Sequence, residues 1–296
     1  MTVSAKPVEA RSGIVAELGT VLREIWESRD LLYQLTRRDI TIRYKQAIMG
    51  FAWAVLMPLL IVLSGFMIRL AMSKFAGRPL VVTTLAAIAV KAIPWAFFVG
   101  AIGFATPSLS GNLNLVTKIY FPREVLTLST VLAQTKDTGV ALVALTIMLP
   151  FLGVHYSLAV LWVPVLLLLT FVFTAAAGLF LACANLFFRD VKYLVQVFLT
   201  FGIFFTPVFY EPMLLGSRTA RLVMLNPLAP LLEGMNLAVV RGHNLLAPLL
   251  GTNATGETVT LWSPWFLGYS AAWAVGGLLV SLLLFRRMSY LFAEYV

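Results

Sequence analysis

Lys136 and Asp137 stand side by side inside an otherwise apolar run, Leu126 to Leu152, and Lys91 stands alone inside another, Thr84 to Thr106. Ionisable groups in such runs are costly to bury and face either a cavity or a partner. Neighbours on a helix point about 100° apart, so Lys136 and Asp137 need not pair with each other. Two readings of them stay open: a polar site on a pore or subunit interface, and a structural pairing with adjacent helices. Lys91 is expected to snorkel toward the outer interface.

Four bases, Arg37, Arg38, Arg43 and Lys45, cluster ahead of the first long apolar run. They lie in a segment, Arg29 to Gln46, where Leu31, Leu32, Tyr33, Leu35 and Ile42 recur at roughly helical spacing. Such a segment can lie along the inner membrane face with its bases toward anionic headgroups; a solvated basic linker is the alternative. Phe198, Phe201, Phe205 and Tyr210 belong to an aromatic-rich stretch. Their rings can stack on sugar faces, or they can simply pack against lipid and the interfacial belts.

The classes of catalysis with recognisable motifs are absent from the sequence. There is no G-x-x-x-x-G-K-[ST] phosphate loop, no G-x-S-x-G elbow and no evident carboxylate pair. His155 and His243 lie far apart, and the single Cys183 sits in an apolar run, which leaves no cluster for a transition metal. The sequence predicts a conduit, with no catalytic site and no cofactor bound by this chain.

The elements that must position these groups follow from composition. Hydrophobic residues make up 60% of the 296 and charged residues 12%, with a mean hydropathy of +0.91. A water-soluble chain cannot hide that much apolar surface, which excludes a soluble enzyme, a disordered protein and a nucleic-acid binder despite a net charge of +9. A helix needs about 20 apolar residues to cross the hydrocarbon. Runs at about 47–70, 84–106, 126–152, 158–184, 193–210 and 262–285 predict six transmembrane helices in an all-α integral membrane protein. Met1 to Asp39 is polar and lacks the short apolar core of a signal peptide, so the N-terminus is expected in the cytoplasm. That placement puts fourteen Lys and Arg inside and six outside, which agrees with both termini being cytoplasmic. Between the fifth and sixth runs, Glu211 to Glu257 holds short apolar pieces cut by Pro212, Pro227, Pro230 and Pro248. Pieces this short predict re-entrant or interfacial helices on the outer side. No internal repeat is evident, which argues against an inverted-repeat transporter.

Ser108 to Glu124, between the second and third runs, mixes Leu, Val, Ile, Tyr and Phe with Asn and Lys on the cytoplasmic side. An apolar face there is either a docking element for another protein or a loop packed on its own helices.

Five segments, in order, resemble the ABC-transporter permeases that export polysaccharides, including the O-antigen and teichoic-acid permeases with an ABC type-2 transmembrane domain. They are RRDITIRYKQAIMGFAWAVLMP (Arg37 to Pro58), NLNLVTKIYFPREVLTLS (Asn112 to Ser129), NLFFRDVKYLVQ (Asn185 to Gln196), TPVFY (Thr206 to Tyr210) and LNPLAPLLEGMN (Leu225 to Asn236). The resemblance implies a transmembrane domain over 29–296 behind an N-terminal tail, 1–28, that has no counterpart. It implies a homodimer with two copies of a separate ATPase, ATP and Mg being used by that partner. Arg29 to Lys45 would be an interface helix, with Arg37, Arg38, Arg43 and Lys45 placed to attract a lipid diphosphate. Asn112, Leu113, Asn114, Leu115, Thr117, Lys118 and Tyr120 would belong to a coupling loop seated in the ATPase. Arg123 would either anchor that loop or meet the substrate. Glu211 to Asn244 would hold outer gate helices, and Phe198, Phe201, Phe205, Tyr210 and Asp137 would line the channel. The implied cargo is a glycan on polyprenyl diphosphate, moved across the bacterial inner membrane. Two alternatives stay open. One is an exporter of the same architecture for a small lipid or drug. The other is a membrane-embedded glycan-processing enzyme, which would need an acid, base or metal cluster at one membrane face.

Overall fold

The computed structural model describes residues 14–45, 52–76, 82–113, 115, 121–252 and 258–289. The chain runs α1 (Ile14–Glu27), α2 (Arg29–Tyr44), α3 (Ala52–Ala76), α4 (Val82–Ala105), α5 (Glu124–Met148), α6 (Trp162–Phe187), α7 (Val191–Phe205), α8 (Ser217–Met224), α9 (Leu228–Val239), β1 (Leu249–Thr252), β2 (Thr258–Trp262) and α10 (Pro264–Met288). Five stretches among the described residues are long and apolar enough to cross a membrane: Val55–Phe75, Thr83–Ala105, Glu124–Leu152, Leu158–Phe187 and Pro264–Met288. The protein is therefore an all-α, multi-pass membrane protein.

Two elements depart from simple spans. Helix α7 has 15 residues, about 22 Å at 1.5 Å per residue, short of a hydrocarbon core of about 30 Å. Helices α8 and α9 are joined at a bend of 109°, which makes them a broken span or a re-entrant pair. Asn226 and Pro227 sit at that bend, and the Asn226 side chain accepts from the Leu228 amide at 3.2 Å, satisfying one donor at the start of α9.

Two apolar clusters mark the two ends of the bundle. At the end that carries α1 and the close of α10, Val21 and Leu35 pack with Leu126, Leu179, Leu186, Leu282 and Phe285. At the far end, Ile88, Leu145, Leu166, Phe209, Leu231 and Trp262 form a larger cluster around α9. Helix α4 is the central post: 72% of its most apolar stretch is buried, against 6% for α3. Helix α3 thus turns most of its apolar surface outward, Leu60, Leu63 and Met67 included.

Three features differ from the sequence-based expectations. Residues 14–27, expected as a tail, form an amphipathic helix. Its Glu24 accepts from Arg286 at 2.5 and 3.0 Å, and its Glu17 from Arg287 at 3.4 Å, so α1 is tied to the end of α10. Lys91, expected to snorkel, is 1% exposed, because Glu233 from α9 reaches its ammonium at 3.4 Å. Thr258 to Trp262, expected near the start of the last span, forms an antiparallel hairpin with Leu249–Thr252, and α10 begins at Pro264. The Thr-Val-Thr start suits a strand, with Val259 inward between exposed Thr258 and Thr260, and a one-residue register shift at Leu261 lets Trp262 turn inward as well. The Trp262 indole donates to the Leu245 carbonyl at 2.8 Å, and its ring lies against Gly234 of α9. Trp262→Ala is expected to cost about 3–5 kcal/mol through the cavity it leaves, read as a lower melting temperature in detergent.

Candidate functional site, a membrane cavity with a polar end

Helix α2 crosses α5, and polar side-chain contacts zip the two together. Ser129 donates to Asp39 at 3.1 Å, and Arg38 pairs with the same Asp39 at 2.9 Å. Further along, Arg43 donates to the Gln134 amide oxygen at 2.8 Å and pairs with Asp137 at 3.5 Å. Tyr44 donates its phenolic proton to Asp137. The register follows from helical geometry, since Asp39 and Arg43 are four residues apart on α2, while Gln134 and Asp137 are three apart on α5. Lys136 turns the other way round the helix and lies 5.5 Å from the Tyr44 ring centre. Both charges of α5 thus reach α2, Asp137 through Arg43 and Tyr44 and Lys136 through the Tyr44 ring.

This polar group closes one end of a cavity of about 740 Å³. Its walls come from α3 (Trp53, Met57, Ile61), α4 (Ile93, Trp95, Phe97, Phe104), α5 (Gln134, Asp137, Ala141) and α7 (Leu199, Thr200, Ile203). They are predominantly apolar and aromatic. The Arg43 guanidinium lies 3.7 Å from the centre of the Phe104 ring, a stacking geometry that keeps a cation at the cavity wall. Burial pulls the Arg43 pKa down from its ordinary value, and the carboxylates of Asp137 and Asp39 oppose that shift. Burial and the bond to Asp137 push the Tyr44 phenol up, so it acts as a neutral donor. The cavity therefore combines a guanidinium paired with Asp137 and predominantly apolar, aromatic walls.

Gly100 makes the close approach possible, because a Cβ there would lie 2.8 Å from the Gln134 amide. Gly100→Val is expected to push Gln134 off Arg43 and to cost about 1–3 kcal/mol of stability, read by thermal melting.

The other bases predicted near the headgroups differ in setting. Arg37 and Lys45 are exposed, Arg38 is half-buried against Asp39, and Arg43 belongs to the cavity. Of the aromatic residues, Phe198, Phe201 and Phe205 are exposed on the side of α7 away from the cavity; Leu199, Thr200 and Ile203 face it. Tyr210 follows α7, its hydroxyl donating to the Phe204 carbonyl at 3.2 Å. Asp137 is in the cavity wall. Gln134, Tyr44, Phe104 and Trp95 escaped the sequence reading. Gln134 carried one usable signal, its spacing of three from Asp137.

The segment between α4 and α5 is fastened at its base. Asn112 donates to the Ser108 carbonyl at 2.9 Å, Ser108 and Thr127 share a hydrogen bond of 2.9 Å, and Asn185 donates to Ser110 at 2.9 Å. The same Asn185 accepts from the Lys192 amide at 3.1 Å, which links this base to the α6–α7 turn. Leu113 and Leu115 pack against the apolar cluster that joins α1 to the close of α10. Arg123 donates to the Ser289 carbonyl at 2.6 Å, joining the start of α5 to the end of α10. Asn114, Thr117, Lys118 and Tyr120 lie outside the described residues. Among the described residues no group of three or more His, Cys, Asp or Glu is arranged to hold a metal.

Residues 30–239 match the model of the ABC-2 type transporter family. The chain is 29% identical over 247 residues to the O-antigen export system permease protein RfbA of Myxococcus xanthus, covering 82% of this chain and 93% of that one. Two proteins of the same name from Klebsiella pneumoniae are 26% and 24% identical. They cover 69% and 90% of this chain and 77% and 94% of their own lengths. The family match spans α2 to α9, the elements that build the cavity and the bent helix pair, and the chain belongs to the ABC-2 type transporter family.

Proposed function

We propose that this chain is the permease subunit of an ATP-driven exporter that moves a polyprenyl-diphosphate-linked glycan of the O-antigen class across the bacterial inner membrane. The observation that carries the reading is the cavity, with the Arg43 guanidinium at one end and aromatic walls beyond. An arginine fork matches phosphate oxygens, and aromatic walls accept both prenyl chain and sugar faces. The names of the relatives from Myxococcus xanthus and Klebsiella pneumoniae supply the glycan class.

In this reading both termini are cytoplasmic, and the end with Arg37, Arg38, Arg43 and Lys45 faces the leaflet where the lipid-linked glycan is made. Two copies of the chain pair with two copies of an ATPase, which binds ATP and Mg. The outward apolar face of α3 and the exposed Phe198, Phe201 and Phe205 of α7 then lie toward lipid or the second copy, where a passage for successive sugars forms. The segment 112–123 engages the ATPase, and Arg123 carries its movement into α10.

One observation favours a second reading, an exporter of a small lipid: the cavity walls are mostly apolar. Photocrosslinking separates the two. A photoreactive residue at Met57 or Leu199, in cells making radiolabelled glycan, is expected to capture lipid-linked glycan. Capture of phospholipid alone would favour the small-lipid exporter.

A further inference from the structure

The start of α7 is fastened by a residue outside it. Helix α7 opens at Asp190, a residue type that commonly caps a helix, yet the Asp190 side chain makes no cap hydrogen bond. The Lys192 amide, one of the first-turn donors that a helix cannot satisfy by itself, instead donates to the Asn185 side-chain oxygen at 3.1 Å. Asn185 lies in the last turn of α6 and is 1% exposed. Its amide nitrogen donates to the Ser110 hydroxyl at 2.9 Å, and Ser110 donates on to the Pro107 carbonyl at 3.2 Å. A carboxamide both donates and accepts, so one side chain spans the gap between the segment after α4 and the first turn of α7. The neighbouring Leu186 shares an apolar cluster with Leu109. The end of α6 and the base of the segment are therefore one packed unit, and α7 is hung on it.

Helix α7 is lightly packed. Among its described residues only the Val195 side chain is buried. A Cβ on Gly202 would lie 3.0 Å from the Trp95 ring, so α7 rests against α4 near its other end. Leu199, Thr200 and Ile203, on the same helix, form part of the cavity wall. From Lys192 to Thr200 is about 12 Å along a helix, so a shift of the first turn is carried to the wall as by a rod. We propose that Asn185 is the positioning residue through which the segment 108–113 sets the place of α7 in the cavity wall. A cap serving the fold alone needs only Asp190, which lies in the same turn. Supplied from α6, by a side chain that also holds Ser110, the cap makes α7 follow the segment.

The inference rests on the proposal that this segment leads to the ATPase, not on the identity of the cargo. The test uses the full chain with its co-expressed ATPase in membrane vesicles. Cys183→Ala removes the native thiol, and Thr200→Cys places one in the cavity wall; maleimide labelling of this parent is followed with and without ATP plus vanadate. The labelling rate of the parent is expected to change by about fivefold on trapping. Ser110→Ala removes the acceptor for Asn185 but leaves the cap on α7. It is expected to hold the change below about twofold, with ATP hydrolysis within about twofold of the parent. Asn185→Leu removes both bonds and is expected to lose the change as well. Ser110→Thr keeps the hydroxyl and is expected to respond as the parent does. A full change in Ser110→Ala or Asn185→Leu would overturn the inference. So would no change in the parent, an equal loss in Ser110→Thr, or loss of hydrolysis together with the change in Ser110→Ala. If Asn185→Leu fails to accumulate, Ser110→Ala decides. Co-purification of the ATPase is read first: its absence would overturn the partner reading and this inference with it. Its presence with no glycan exported would count against the cargo alone.

Discussion

Asp137→Ala is expected to abolish export and to cost about 1–3 kcal/mol, the typical penalty for leaving a half-buried donor without its acceptor. Arg43 and Asp137 expose only 14% and 16% of their side chains, so little water is available to replace the lost carboxylate. The same substitution leaves Tyr44 without its acceptor. Pairing Asp137→Ala with Arg43→Met removes the stranded cation and should recover most of the stability. Export should remain lost in the double variant, because the guanidinium is the group proposed to meet the phosphate. Melting temperature and surface glycan, measured on the two singles and the double, separate the two effects. Recovery of both stability and export in the double variant would show that Arg43 serves the fold alone. Arg43→Lys keeps the charge but loses the planar face against Phe104, and is expected to fall between wild type and Arg43→Met in export.

The second large effect concerns Arg123. Its side chain ties the start of α5, at the end of the segment proposed to engage the ATPase, to the last turn of α10. Arg123→Ala is expected to leave ATP hydrolysis by the assembled complex within about twofold of wild type and to lower export per ATP by about tenfold, roughly 1.4 kcal/mol of lost coupling. Hydrolysis and transported glycan are measured on the same vesicles. Equal loss of both would indicate failed assembly, and no loss of either would remove Arg123 from the coupling path.

The membrane architecture was legible because lipid imposes a length. Runs such as Thr84 to Thr106 and Ser157 to Phe188 must be continuous to cross the hydrocarbon, and the helices α4 and α6 fall on them. The broken apolar pieces around Pro227 likewise correspond to the bent α8–α9 pair. Long-range partnerships were not legible. Lys91 looked like a snorkelling residue because its partner, Glu233, lies 142 positions away on a helix that folds back against α4. The hairpin at 249–262 was hidden by its neighbour, since Thr258 to Trp262 is nearly as apolar as the span behind it and only its alternation marks a strand. In the cavity, Asp137 stood out as a charge in an apolar run. Gln134, Phe104 and Trp95 did not, because polar amides and aromatic rings are ordinary in such runs and acquire meaning only where α2 crosses α5. The rotation of α7 was equally silent. Its aromatic residues and its cavity-facing Leu199, Thr200 and Ile203 are interleaved in sequence, and period alone does not say which face turns inward.

The most direct test is the location of lipid-linked glycan after depletion of this protein. Polyprenyl-diphosphate glycan is expected to build up on the cytoplasmic leaflet and to vanish from the cell surface. The wild-type chain should restore it, and the Arg43→Met, Asp137→Ala double variant should not. Glycan reaching the surface in unchanged amount, with no cytoplasmic accumulation, would contradict the proposed cargo and leave the small-lipid exporter as the reading of this cavity.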